Sequence, residues 1–269
     1  MFSMKFNFGN NWQNFIDNKL DEERVDIAEK SLIEFSVKKN RKEKTFLDIG
    51  SGSGLFSLAA KRLGYKVISM DVDQDSVNCT KFLKKKYFKN NKNWKIFNGS
   101  ILDEKIIEKM PNSDVVYSWG VLHHTGHMWL ALDNCIRKLK PKGKLFIAIY
   151  NDQGIKSRLW WIVKYIYNYL PNYLKKIYFI LILILTYFFV LLKKILLFDL
   201  KNLFNYILNV KQNRGMSFYY NMLDWIGGYP YEYSSFENLK KYCENKGLKV
   251  IKFKKNYSLG CHQIVFKKN

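Results

Sequence analysis

The eight residues Leu47 to Gly54, LDIGSGSG, constrain the fold more than any other stretch of this 269-residue chain. A short apolar run, Thr45 to Ile49, leads into them. After them Leu55, Phe56, Leu58, Ala59 and Ala60 place apolar side chains at helical spacing. Strand, glycine turn and helix form the opening unit of a doubly wound α/β domain, whose turn holds a nucleoside-bearing ligand at the carboxyl edge of a parallel sheet. The spacing narrows the ligand. A dinucleotide fingerprint GxGxxG begun at Gly50 needs glycine five residues on, where the chain has Leu55. Instead Gly50, Gly52 and Gly54 alternate, and an acid, Asp48, stands two residues before the first of them.

Strand–helix units follow in series. The patterns predict strands at 45–49, 66–70, 94–98, 114–119 and 144–149. Helices are expected at 55–63, 74–86, 104–109 and 128–139, and Pro141-Lys142-Gly143 reads as a turn into the fifth strand. Alternation of this kind predicts a parallel sheet with right-handed crossovers. Residues 14–37 read as an N-terminal helix ending in a basic loop. Near the other end, Ser234 or Ser235 caps a helix over 235–246, and two strands, 249–254 and 262–267, meet at Leu259-Gly260. The pattern breaks between Ile155 and Lys211, which is apolar, aromatic and helix-like, with one interruption at Pro171. Within it Ile177–Leu192 is an apolar run between Lys175-Lys176 and Lys193-Lys194. A spanning helix needs about 20 such residues, so the run falls short. A buried helix of an active-site lid is the first reading, an interfacial helix with basic flanks the second and a true membrane span the last.

The net charge is +22, from 45 Lys and Arg against 23 Asp and Glu, but only six of the basic residues are arginine. Arginine is the side chain that reads phosphates and guanine edges bidentately. This balance argues against nucleic acid and for a looser attraction to a membrane surface through 155–213. Cys79, Cys135, Cys243 and Cys261 form no CxxC pair. A reducing, cytoplasmic setting is expected, peripheral to the inner face of the membrane if the insert touches it, with no zinc site and no signal peptide.

D-x-G-x-G-x-G after a strand resembles the first motif of class I S-adenosylmethionine (SAM) dependent methyltransferases. Val121-Leu122-His123-His124 after the fourth strand resembles their small-molecule members, including quinone-biosynthesis O-methyltransferases. Lys140-Pro141-Lys142-Gly143 is similar to their LKPGG turn. The resemblance implies a Rossmann-like, doubly wound, seven-stranded and mostly parallel sheet with the last strand antiparallel. The SAM-binding domain would comprise 45–154 and 214–269. Residues 1–44 would be a helical segment covering the cofactor, and 155–213 a helical lid insert.

The same resemblance implies SAM as cofactor and gives its residues. Gly50, Ser51, Gly52 and Gly54 would cradle the methionine and ribose, with Asp48 toward the amino end. Asp71, an acid at the end of the second strand, is placed to accept the ribose diol, and Val72 would flank the adenine. Ser100, standing where the family commonly has aspartate, and Ile101 would also serve the adenine. Trp119 would lie under the methionine, and Trp12 in an N-terminal aromatic segment would fold over the cofactor. A histidine can take a proton from an acceptor near neutral pH; His123 and His124 are the candidates, with a slight preference for His123. Tyr150, Arg214, Asp224, Tyr229 and Glu232 are the candidate substrate contacts, the last three on a glycine-rich loop. The function expected is methyl transfer from SAM to a small, apolar acceptor, foremost a phenol or quinone precursor. The alternatives are S-methylation of a small thiol or sulfide, and a non-catalytic SAM-fold module docking on a membrane or a partner.

Overall fold

In a computed structural model of the chain, residues 21–35, 37, 39, 43–196 and 218–269 are described. Seven strands form one sheet: β1 (Thr45–Ile49), β2 (Lys66–Asp71), β3 (Trp94–Asn98), β4 (Ser113–Trp119), β5 (Leu139–Tyr150), β6 (Leu248–Lys254) and β7 (Cys261–Lys268). Their spatial order is β3-β2-β1-β4-β5-β7-β6. The first five are parallel, and β7 runs antiparallel to both β5 and β6. The order reverses between β1 and β4, which puts the crevice of a doubly wound sheet beside the glycine turn that follows β1.

The helices around the sheet are α1 (Glu22–Glu34), α2 (Leu55–Arg62), α3 (Gln74–Tyr87), α4 (Glu104–Lys109), α5 (Met128–Arg137) and, after a gap, α9 (Phe236–Glu244). Asp21, Asp73, Asp103 and Ser235 each accept a backbone N–H at the start of one of them, which is where short acceptor side chains belong. Arg62 at the end of α2 pairs with Glu22, Asp26 and Glu29 and fastens α1 to the sheet layer.

Central strands are buried on both faces because their sequences are near-continuous apolar runs, whereas the edge strands β3 and β6 are largely exposed, with Lys95, Lys249 and Lys254 outward beside Phe97, Ile251 and Phe253. Leu47, Ile49, Val116, Leu145 and Ile147 lie at the centre of the core, and each such side chain contributes about 1.5–3 kcal/mol on burial. At the expected turn of Pro141 to Gly143 the chain stays within β5. Leu139 pairs with Ser113 and Lys144 with Val115, so the residues between them bulge out. A Cβ on Gly143 would stand 2.8 Å from the Lys140 carbonyl, which accounts for glycine there.

Two compact units divide the chain. The sheet unit takes the described residues up to Arg158 and again from Pro230, and the helical unit runs from Leu159 to Tyr229. The helical unit holds most of α6 (Ile155–Tyr169), α7 (Asn172–Leu196) and α8 (Phe218–Gly227). It therefore extends past residue 213, where the insert was expected to end. The stretch Asp224 to Gly227, expected in a loop, is the last turn of α8, because Ile226 packs with Tyr167 and Phe179. The helix α7 is longer than the apolar run within it: it continues through both lysine pairs to 25 residues. At 1.5 Å per residue it is about 37 Å long. By length and composition alone it is the one helix among the described residues able to cross a membrane.

Candidate active site

The glycine turn is locked from both sides. Gly50 and Ser51 both donate their N–H to the Met70 carbonyl of β2, at 2.8 and 3.0 Å. Gly50 has φ +75°, and a Cβ there would lie 2.4 Å from Val121 Cγ2. Gly54 has φ +80°, and its Cβ would meet Thr80 Oγ1 at 2.8 Å. These two glycines are thus required by close packing against β4's exit and α3, as well as by the left-handed backbone. Asp71 closes the turn: its two carboxylate oxygens accept the N–H of Gly52 at 2.8 Å and of Asp73 at 2.9 Å. A carboxylate offers about four acceptor positions, so capacity remains for a ribose hydroxyl. Burial, with the Asp73 charge beside it, pushes its pKa up against hydrogen bonds from the Asp73, Gly52 and Val72 N–H groups. Beside it Val72 is 53% exposed, an apolar side chain at a strand end with room for a flat ring over it. The residues present fit a SAM-sized ligand.

Asp48 is 2% exposed and ends a directed chain of hydrogen bonds beneath the turn. Indole nitrogen can only donate, so Trp94 Nε1–H donates to Ser69 Oγ at 2.8 Å. The Ser69 hydroxyl is then the donor to Ser57 Oγ, 2.6 Å away, and the Ser57 hydroxyl donates to Asp48 Oδ2 at 2.5 Å. Burial raises the Asp48 pKa to about 7, outweighing the Ser57 bond, which lowers it. The chain ties β1, β2, β3 and α2 together under the turn.

The exit of β4 carries a single 3-10 turn, Leu122–His124, and its two adjacent histidines are held in opposite senses. The Tyr150 N–H donates to His123 Nδ1 at 3.3 Å, so the neutral His123 ring carries its hydrogen on Nε2. His124 Nδ1 lies 2.6 Å from the Pro230 carbonyl. A carbonyl only accepts, so His124 Nδ1 bears the hydrogen, and in the neutral ring Nε2 is the basic atom. His123 is buried at 1% exposure and His124 is half-buried. Tyr150 stacks between His123, at 4.1 Å between ring centres, and Tyr231, at 5.0 Å, forming an aromatic wall at the β5 end.

Over residues 20–180 the chain matches the family of methyltransferase domains. The chain belongs to the methyltransferase family. Its members use SAM as methyl donor, and the cradle described above is built for such a cofactor. The methyltransferase is 29% identical over 150 residues to the ubiquinone biosynthesis O-methyltransferase of Pelagibacter ubique, covering 54% of this chain and 60% of that protein. To the enzyme of the same name from Coxiella burnetii it is 29% identical over 134 residues, covering 49% and 54%. It thus spans little more than half the length of these relatives. Its fold matches magnesium protoporphyrin IX methyltransferase from Synechocystis, solved with S-adenosylhomocysteine, with a TM-score of 0.55 at 10% identity over 97% of this chain and 94% of that one. It also matches a SAM-dependent methyltransferase from Aquifex aeolicus, with a TM-score of 0.53 at 15% identity over 98% and 100%.

Other expected contacts of the methyltransferase scatter. Ile101 is a core side chain, and Ser100 Oγ accepts the Leu102 N–H at 3.1 Å. Trp119 stacks on Tyr117 and Phe56, so only its backbone stands at the strand end. Glu232, with its pKa raised by burial, accepts the Met128 N–H with both oxygens at 3.1–3.2 Å and holds the start of α5. Tyr229 belongs to the helical unit, where it packs on Trp161 and Tyr165. Trp12 and Arg214 lie outside the described residues, as does the side chain of Asp224. Sequence reasoning missed Asn98, whose amide donates to the carbonyls of Asp71 and Val72 at 3.2 and 3.3 Å and holds the backbone at the end of β2. A polar residue closing β3 was the available signal. A groove of about 780 Å³ lined by six lysines of α3, β3 and the loop between them shares no residue with the glycine turn.

Proposed function

We propose that this methyltransferase transfers the methyl group of SAM to the hydroxyl oxygen of a small, mainly apolar phenol, with His124 as the general base. The observation that carries the reading is the bond from His124 Nδ1 to the Pro230 carbonyl, because it fixes the ring with Nε2 as the basic atom. The names of the relatives, ubiquinone biosynthesis O-methyltransferases, support oxygen as the acceptor atom.

In this reading Asp71 accepts the ribose hydroxyls, Val72 lies against the adenine, and the glycines of the turn Gly50–Gly54 let the backbone approach the remainder with no side chain in the way. Asp48 acts through the turn, by way of Ser57, as a positioning residue. SAM supplies an electrophilic methyl on a sulfonium and leaves as a neutral thioether. As the acceptor's oxygen forms its bond to the methyl carbon, His124 Nε2 takes the phenol proton. Tyr150, half-buried and backed by the buried Tyr231, offers an aromatic face to an apolar ring. Most of the rate comes from holding acceptor and methyl in line, and a positioned base adds about 10²–10⁴-fold.

The test is formation of S-adenosylhomocysteine with a panel of a catechol, a simple phenol, an alkyl thiol and an amine. Turnover with the catechol or phenol is expected, with His124→Ala lowering it by about 10²-fold or more at neutral pH while SAM still binds. Part of the loss should return at high pH, where the phenol ionises unaided. Turnover confined to the thiol or the amine would remove the oxygen assignment, and full activity of His124→Ala would remove the base.

A further inference from the structure

The helical unit presents its apolar side chains on the wrong side for a protein surrounded by water. Along α7 the exposed residues recur every three or four positions: Ile177, Ile180, Ile184, Phe188, Leu192 and Ile195. That period is one face of a helix, and no charged residue interrupts it between Lys176 and Lys193. Ile184 is 61% exposed. The opposite face is equally apolar but internal, with Phe179 packed on Tyr167 and Ile226. Tyr178 donates its hydroxyl to the Val163 carbonyl at 3.2 Å, tying α7 to α6.

The second helix of the hairpin continues the pattern. Leu159, Ile162 and Ile166 of α6 are exposed. Beside them Trp161, Tyr165 and Tyr169 stack in a row, with ring centres 5.1 and 4.3 Å apart. Aromatic rings with a polar tip favour the boundary between headgroups and acyl chains. Charge completes the picture. From Ile155 to Leu196 the sequence holds seven lysines and arginines and no aspartate or glutamate. One of the seven, Lys164, is fully buried and donates to the Trp225 carbonyl; Lys156, Arg158 and Lys176 are exposed.

We propose that the exposed face of the α6–α7 hairpin is a docking surface for an anionic lipid bilayer, with α7 lying along the interface and its stripe buried among the acyl chains. A helix that uses one face to pack on its own unit has only the other to offer, which gives a helix lying in one leaflet rather than one spanning both. A wide apolar stripe supplies attraction of its own, and a region with cations and no anions adds attraction to acidic headgroups. The inference is independent of which acceptor is methylated.

Flotation of the full chain with vesicles of phosphatidylcholine, alone or mixed with phosphatidylglycerol, tests it. The chain is expected to float with the mixed vesicles and less with the neutral ones. Salt should lower binding to the mixed vesicles without abolishing it, since only the charge component is screened. Ile184→Asp with Phe188→Asp should cut the bound fraction by about tenfold or more, while far-UV circular dichroism and the melting temperature stay put because both sites are exposed. Lys175→Gln with Lys176→Gln should remove much of the preference for anionic vesicles. An alkaline carbonate wash should release the bound chain. Recovery of the wild type in the soluble fraction with both vesicles would overturn the proposal, as would undiminished flotation of the aspartate pair. Retention after the carbonate wash would overturn the interfacial placement. A dimer that the aspartate pair splits, with no vesicle binding, would assign the stripe to a second copy of the chain instead.

Discussion

In the sheet unit polar groups are buried and apolar ones surround them; in the helical unit apolar groups face outward. Asp48, Ser57, Ser69 and His123 are all buried in the sheet unit, each with partners inside the fold. In the helical unit Ile177, Ile184 and Phe189 are each more than three-fifths exposed, while Lys164 is fully buried. A buried polar group costs free energy unless it is hydrogen-bonded, so the first pattern marks a site whose geometry is over-determined. The second marks a surface whose surroundings are not water alone. Tolerance to substitution should therefore differ sharply between the two.

The most severe expected effect is at Gly50. Alanine there combines a 2.4 Å contact to Val121 with φ +75°. Gly50→Ala should cost about 3 kcal/mol of stability and abolish SAM binding. A urea melt and calorimetry with SAM check both, and an unchanged variant would mean the turn is looser than its contacts imply. Next is Asp71→Ala, which removes the diol acceptor together with the partner of the Gly52 amide. SAM affinity should fall by about tenfold to hundredfold, and unchanged binding in calorimetry would take Asp71 out of the site.

A smaller effect belongs to Asp48, and its sign is specific. Its folded pKa of about 7 lies above the ordinary carboxyl value of 3.8. Between those limits the folded chain binds the proton and the unfolded chain does not. The group's contribution to stability is therefore full below pH 4 and is lost as pH rises through 7. Asp48→Asn should flatten that part of the profile, so wild type minus variant, taken from urea melts, should decline from pH 4 to pH 7. A difference that rises instead would show an ionised carboxylate that the fold favours. Smallest of all is Ile184→Lys in the helical unit, expected to change stability in solution by no more than about 0.5 kcal/mol. A loss of several times that would place the residue in a packed core.

What the sequence disclosed follows the same division. Strands β1 to β4 were legible because apolar runs, glycines and terminal acids mark them at short range, and the seven-stranded, mostly parallel sheet because the motifs resemble a family that has it. Asp71 was legible as an acid closing β2, and its bonds to the Gly52 and Asp73 N–H groups put it at the glycine turn. The two histidines could not be told apart, since their difference lies in Pro230 and Tyr150, which are distant in sequence. Glu232 looked like a substrate contact because nothing near it predicts that its carboxylate holds the start of α5. The first half of 224–232 was mistaken for a loop because its glycines outweighed the helical spacing of Met222, Leu223 and Ile226. The sixteen apolar residues of α7 said how greasy the helix is; only its packing on Tyr167 and Ile226 divides it into an inner and an outer face.

The antiparallel strand β7 sets an order of events during synthesis. It pairs with β5 along Lys144–Tyr150, yet the whole helical unit is made between the two. While the ribosome produces Leu159 to Tyr229, β5 has one open edge, and the greasy hairpin is complete once Leu196 is made, well before β7. Unpaired edges and bare apolar helices are both sites where nascent chains stick to one another. Early docking of the hairpin on a bilayer would shield one of them, and the sheet can seal the other only after the last strand emerges.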